Sequence, residues 1–186
     1  MNKDNLFGNI KTNKTKIIKI IGCGGAGIKT LKYLKKHEIS DAVFFAVDYD
    51  DTLLHTSGAD VKICLNPNAS AEELHKGLDL SDDDTVIIIA GLGGNAGSEL
   101  VSVLAKTVKN IACCYVMLPY LFDGFPRTNK ANEVCEILST LGVKTEVIDN
   151  NKFLDAAPKN MLIEQMHEGI YNMIYNSIIK LKEDMQ

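Results

Sequence analysis

The chain has 186 residues, 46% apolar and 24% charged, with a net charge of −4, the balance of one ordinary globular domain with room for a real core. Its mild negative charge, without a basic patch, argues against a nucleic-acid surface. No apolar run reaches the roughly 18 residues of a membrane helix and the first residues lack a secretory core, so a cytoplasmic protein without a membrane partner is expected. The five cysteines, Cys23, Cys64, Cys113, Cys114 and Cys135, are odd in number and form no CxxC. That argues against zinc and disulfides, and for buried thiols in a reducing compartment.

Residues 1 to 15 are polar and lysine-rich and read as a flexible arm; residues 16 to 186 read as one domain. Lys16 to Ile21 is a short strand running into Gly22, Cys23, Gly24, Gly25, Ala26 and Gly27, after which Ile28, Leu31 and Leu34 mark one helical face. Ala42 to Val47 is a second strand, ending in Asp48, Tyr49 and Asp50. Val61 to Leu65 is a third, and Ser70 with Glu72 and Glu73 reads as the start of a short helix. The acidic turn Asp79 to Asp84 leads into Val86 to Ala90, a continuous apolar run expected to be a buried parallel strand. It breaks into Gly91, Gly93, Gly94 and Gly97, with a helix beginning near Ser98. Ile111 to Leu118 is a fifth strand, Pro119 to Arg127 a loop, Lys130 to Leu141 a helix and Val143 to Ile148 a sixth strand. Asn160 to Lys182 is one long helix, whose stripe of Met166, Ile170, Met173, Ile174, Ser177, Ile178 and Leu181 packs on the sheet, with Tyr171 and Tyr175 as rim residues. The alternation predicts the α/β class: a doubly wound, mostly parallel six-stranded sheet ending in a long C-terminal helix.

Two strand-to-helix turns rich in glycine carry the chemistry. Glycines let a backbone take positive φ and approach a ligand closely, and a helix N-terminus directs its free amides, and the positive end of its dipole, at an anion. Such a turn is a phosphate cradle; the alternative is a turn that merely packs tightly. Gly22, Gly24 and Gly27 also satisfy GxGxxG, with Asp48 ending the second strand, which fits an NAD-binding Rossmann domain. The same turn resembles the GCGGxG opening of E1-like adenylating enzymes, which bind ATP. Both readings leave the second loop without a role, although turns at the carboxyl ends of parallel strands face one crevice.

Taken in order, IGCGGAG, FFAVDYDDTLL, AGLGGNAGSEL, LPYLFDGFPR and IDNNKFL resemble the nucleotide-binding domain of the FtsZ/tubulin family, in register over roughly Lys16 to Leu181. The resemblance implies binding of GTP or GDP with Mg²⁺. It assigns Gly22, Gly24, Gly25, Ala26 and Gly27 to the first phosphate loop and Asp50 to the neighbourhood of the metal. It assigns Gly93, Gly94, Asn95, Ala96, Gly97 and Ser98 to the signature phosphate loop, and Asp123 and Arg127 to ribose and phosphate. Asn150 and Asn172 then read guanine. Departures accompany it: Ile28 and Lys29 close the first loop where Gly and Asn are usual, Asn95 and Ala96 replace Gly and Thr, and Glu99 stands where another Gly is usual. The third loop is shortened to Asn66 to Ala69, and Glu168 falls where an aromatic stacks on the base.

In that family the long helix leads to a loop with a water-activating acid and then to a second domain; this sequence ends at Gln186. The resemblance therefore implies a pocket with little or no hydrolysis of its own, at most a weak GTPase. Its expected partners are guanine nucleotide and either a second copy or a full-length FtsZ-like protein, in a cytoskeletal or cell-division role. An NAD or E1-like ATP domain, or an interaction module with a decayed nucleotide pocket, remain the alternatives.

Overall fold

The computed structural model describes residues 17 to 185, so the arm expected over residues 1 to 15 lies outside the described residues. Six strands form one sheet: β1 (Ile18–Cys23), β2 (Ala42–Asp48), β3 (Val61–Cys64), β4 (Thr85–Gly91), β5 (Ile111–Leu118) and β6 (Thr145–Asp149). Their spatial order is β3-β2-β1-β4-β5-β6, and every pairing is parallel. The expected doubly wound sheet is present, wholly rather than mostly parallel among the described strands.

Both faces are covered, which is why β4 reads as an unbroken apolar run: Val86 to Ala90 are all buried. Alternation along the strands splits the core in two. Ile20, Phe44, Ala46, Ile87, Ile89 and Tyr115 point towards α1 (Gly24–Lys36) and α7 (Ile163–Asp184). Ile21, Phe45, Val47, Ile88 and Val116 point the other way. There α3 (Ala71–Leu78), α4 (Asn95–Thr107) and α5 (Phe125–Thr140) supply Leu74, Leu104, Val134 and Leu138. Ser70 caps α3 as expected, in a reciprocal box with Glu73.

Several boundaries differ from the sequence expectation. Asp51–His55 forms a short helix, α2, capped by the Asp50 side chain. Helix α4 starts at Asn95, three residues before Ser98. Helix α5 starts at Phe125 instead of Lys130, because Gly124, at φ 94°, turns the chain and Pro126 suits a first helical turn. Arg127 therefore stands on a helix, preceded by a single 3₁₀ turn over Leu121–Asp123. The Asp149 side chain caps a further short helix, α6 (Asn150–Ala156).

On α7 the buried stripe is Met166, Ile170, Ile174 and Ile178, a strict step of four, and Met173 turns outward. Tyr171 and Tyr175 are more than rim residues. They are partly buried against α1, with ring centroids 5.8 Å from Tyr33 and 5.5 Å from His37, because α1 lies beside α7 on the same face. The buried-thiol expectation holds for Cys23, Cys113 and Cys114, whereas Cys64 is exposed on edge strand β3. No helix of the described residues is long and apolar enough to cross a membrane.

Gly27 sits where α1 crosses the sheet, and a Cβ there would lie 2.4 Å from the Ile89 carbonyl oxygen. Backbone cannot yield as a side chain does, so Gly27→Ala is expected to cost about 1 to 3 kcal/mol. A lowered urea midpoint with unchanged slope checks this; an unchanged midpoint would mean that α1 can lift off β4 freely.

Candidate functional site

Between β1 and β4 the strand order reverses, since β1 is followed by a crossover to β2 on one side and β4 by one to β5 on the other. A crevice opens there, at the carboxyl ends of the strands. Its volume is about 410 Å³. One wall is Gly24, Gly25 and Ala26 at the start of α1; the facing wall is Gly94 to Gly97 at the start of α4. Met117 to Tyr120 close the back, and Asp123, Arg127, Asn150 and His167 complete the rim.

The two loops meet without side chains between them. A Cβ on Gly24, which has φ 71°, would fall 2.7 Å from the Gly97 amide nitrogen, and one on Gly97 would fall 2.3 Å from the Gly91 carbonyl oxygen. Only glycine permits that approach. In consequence the N-termini of α1 and α4 lie side by side. Neither has a side-chain cap or an acidic residue in its first turn, unlike α3 with its capping box and two glutamates. Their first-turn amides are left facing the crevice, a donor set suited to an anion. Gly94 borders open space, and a Cβ on it would meet no atom within 4 Å.

Of the residues singled out from the sequence, Gly24, Gly25, Ala26, Gly94, Asn95, Ala96, Gly97, Asp123, Arg127 and Asn150 line the crevice. Gly22, Gly27, Gly93 and Ser98 frame it from behind. Gly22 makes room for Leu31, and Gly93, at φ 88°, for the Arg127 carbonyl; the Ser98 hydroxyl accepts the Gly93 N–H at 2.9 Å. Asp50 stands outside the lining and accepts the Thr52 N–H at 2.9 Å. Asn172 lies on the exposed side of α7, its Oδ1 3.5 Å from the Tyr33 hydroxyl. Glu168 is exposed too, and the α7 residue that reaches the crevice is His167. The hydrophobic stripe explains this, because Glu168 and Asn172 each follow a buried residue by two positions, about 200° around the helix.

Sequence reasoning also passed over Tyr120 and Asn151. Asn151 accepts the Leu121 N–H at 2.8 Å and donates to the Pro119 carbonyl at 3.2 Å, which pins the loop carrying Tyr120. The Tyr120 hydroxyl lies 2.7 Å from His167 Nε2. Asp48 lines the crevice, but its Oδ1 already accepts the N–H groups of Tyr49 and Asp50, at 2.7 and 3.0 Å. Glu99 does not line the crevice: it accepts from the Tyr49 hydroxyl at 3.0 Å and from Lys130 at 3.2 Å.

One polar atom is conspicuous. Asn150 Oδ1 is buried with no hydrogen-bond partner, a cost of about 1 to 3 kcal/mol until something donates to it. As for metals, the described residues contain no group of three His, Cys, Asp or Glu side chains able to hold one. A divalent ion here would need most of its oxygen ligands from a phosphate and water.

No family-level profile matches the chain. Among curated proteins, cell division protein FtsZ 1 of Methanocaldococcus jannaschii is 30% identical over 200 residues, covering 96% of this chain and 54% of that protein. FtsZ of Buchnera aphidicola is 26% identical, covering 96% and 51%. A solved M. jannaschii FtsZ dimer superposes with a TM-score of 0.74 at 28% identity, covering 90% of this chain and 54% of that one. The chain is an FtsZ/tubulin-like protein. CetZ from Methanosaeta thermophila, with a TM-score of 0.69 at 15% identity and coverage of 89% and 53%, shares the fold. This FtsZ/tubulin-like chain spans about half the length of the curated relatives it matches.

Burial, and then the Lys29 ammonium, lower the His167 pKa below its ordinary 6.5, with Glu164 opposing. The unfolded chain therefore takes up this proton first as pH falls through about 6.5, so the group's contribution to stability is full above that value and declines towards the lower folded-state pKa. His167→Gln is expected to lessen the drop in thermal midpoint between about pH 7.5 and 5.5. Equal drops in both proteins would remove His167 from the acid response.

Proposed function

We propose that this chain binds a guanine nucleotide, GTP or GDP, in the crevice between β1 and β4, and that it acts as a cytoplasmic, self-assembling cytoskeletal protein. The observation that carries the reading is the unpartnered Asn150 Oδ1, placed across the same crevice from two uncapped helix N-termini. Phosphates would sit on the amides of α1 and α4, with Arg127 as a planar donor fork at the rim. The base would sit at Asn150, whose amide can accept from the guanine amino group and donate to its O6. Mg²⁺ would arrive with the phosphates, near Asp50, with water completing its shell.

Relatives named as cell division proteins, and a solved M. jannaschii FtsZ dimer, support the assembly half of the proposal. So does an apolar patch beside the crevice, where Leu121, Phe122 and Phe125 are 73%, 68% and 84% exposed. Assembly with a second copy or with a full-length FtsZ-like protein would cover it. Hydrolysis by this chain alone would be weak. The two crevice carboxylates, Asp48 and Asp123, are each engaged by backbone N–H groups, whereas hydrolysis needs a group that orients the attacking water.

Calorimetric titration of nucleotide-stripped protein with GTP, GDP, ATP and NAD, in Mg²⁺, tests the reading. Guanine-selective binding is expected; adenine-selective binding, or none at millimolar ligand, would overturn it. Asn150→Ala should weaken GTP binding about tenfold through a lost hydrogen bond. Gly94→Arg should abolish binding while leaving the unfolding midpoint nearly unchanged, since it projects into open space. Phosphate release from GTP should stay near the uncatalysed background; rapid release by the chain alone would contradict the hydrolysis reading.

A further inference from the structure

A second feature lies at the edge of the crevice, and its Tyr49, Glu99 and Lys130 take no part in the contacts assigned to the nucleotide. Glu99 begins the second turn of α4, the helix whose N-terminus faces the anion site. A carboxylate there opposes any phosphate bound at that end. It is not left alone. Its Oε2 accepts from the Tyr49 hydroxyl at 3.0 Å, and its Oε1 accepts from Lys130 Nζ at 3.2 Å. The same Lys130 Nζ donates to Asn95 Oδ1 at 3.1 Å, and Asn95 lines the crevice. Three elements around one end of the site thus meet at the Glu99 carboxylate of α4: the β2–α2 turn through Tyr49, and α5 through Lys130, one turn beyond Arg127, whose ammonium also holds Asn95 of α4.

We propose that Lys130 is a positioning residue for polyphosphate binding: it neutralises Glu99 and holds the Asn95 side chain at the crevice wall, so that the start of α4 accepts a highly charged ligand. The proposal rests on the reading of the crevice as a nucleotide site. Burial and the bond to Glu99 push the Tyr49 hydroxyl up to about 12, so it remains a donor throughout the neutral range. The Lys130 and Glu99 side chains are 32% and 45% exposed, so the pair is partly screened by solvent and its effect depends on salt.

The charge logic gives a signature that a merely structural role would not produce. Without Lys130 the Glu99 carboxylate is uncompensated, and the penalty scales with ligand charge. Lys130→Met should weaken GTP about tenfold, GDP less and guanosine not at all, with the deficit shrinking as salt is raised. Lys130→Arg should retain most of the affinity. The double variant Glu99→Gln, Lys130→Met removes both charges and should recover most of the loss. Set against Glu99→Gln alone it also discriminates, since a lysine that itself gripped a phosphate would cost as much affinity to remove in that background as in the unmodified chain.

The experiment is titration of the full chain and these variants with GTP, GDP and guanosine at two salt concentrations, with thermal midpoints as a folding check. Graded loss with recovery in the double variant supports the proposal. Equal loss across the three ligands, or no recovery in a folded double variant, overturns it while leaving the nucleotide reading intact. Absence of GTP and GDP binding in the unmodified chain would instead remove the nucleotide reading, and this proposal with it.

Discussion

The structure depends on the close approach of two backbones at the top of the sheet. Gly24 against Gly97, and Gly97 against Gly91, leave no volume for a Cβ, and strands β1 and β4 hold the two turns at adjacent positions in parallel register. Everything at the glycine-rich end of the crevice follows from that contact. Helices α1 and α4 start side by side, their amides converge on one space, and the reversal of strand order leaves that space open instead of filling it with a crossover. A side chain at the contact would separate the helices and disperse the donors, so the glycines serve packing first and any ligand through that packing.

That end of the site was legible from residue types. Four glycines after an unbroken apolar strand have few physical explanations, and a second such turn in a parallel sheet must face the first. The other end was legible only in part. Asn150 follows β6 directly and reaches the crevice, but matching motifs along α7 placed Glu168 and Asn172 at the base, where one step of register turns a side chain through about 100°. The stripe of Met166, Ile170, Ile174 and Ile178 contained the answer, because their burial sends the residues two positions later into solvent and brings His167 round to the crevice. Packing periodicity was the stronger constraint. The early start of α5 was also written in the sequence, as Gly124 followed by Pro126, but a glycine and a proline together read equally well as a loop.

Glu99 marks the limit of what one sequence conveys. Read alone, it is a repulsive group beside an anion site; folded, it is paired with Tyr49, 50 residues before it, and Lys130, 31 residues after it. No local pattern links those positions. The pairing exists because β2 ends and α5 begins on either side of α4, which is a property of the sheet order and not of any segment.

Unsatisfied polar groups are concentrated accordingly. Several turns, caps and strand ends of the described chain are closed by specific partners: Ser70 with Glu73, Asp149 with Asn151, Asp48 with the amides of Tyr49 and Asp50. Apart from Thr85 Oγ1, the orphaned buried side-chain atom among the described residues is Asn150 Oδ1, and it shares its crevice with two helix starts, those of α1 and α4, that lack side-chain caps. Folding leaves these groups without partners because the same geometry that brings the backbones together keeps other side chains out. A ligand with anionic oxygens at one end and N–H donors at the other satisfies both at once. Since the separated, unfolded loops offer no such array, binding adds to stability in proportion to the logarithm of ligand concentration over Kd, about 2.7 kcal/mol at a hundredfold excess. The glycine contact thus makes the site and the stability of the fold two readings of one constraint: the loops that create the unmet donors are also those that a bound anion would hold together.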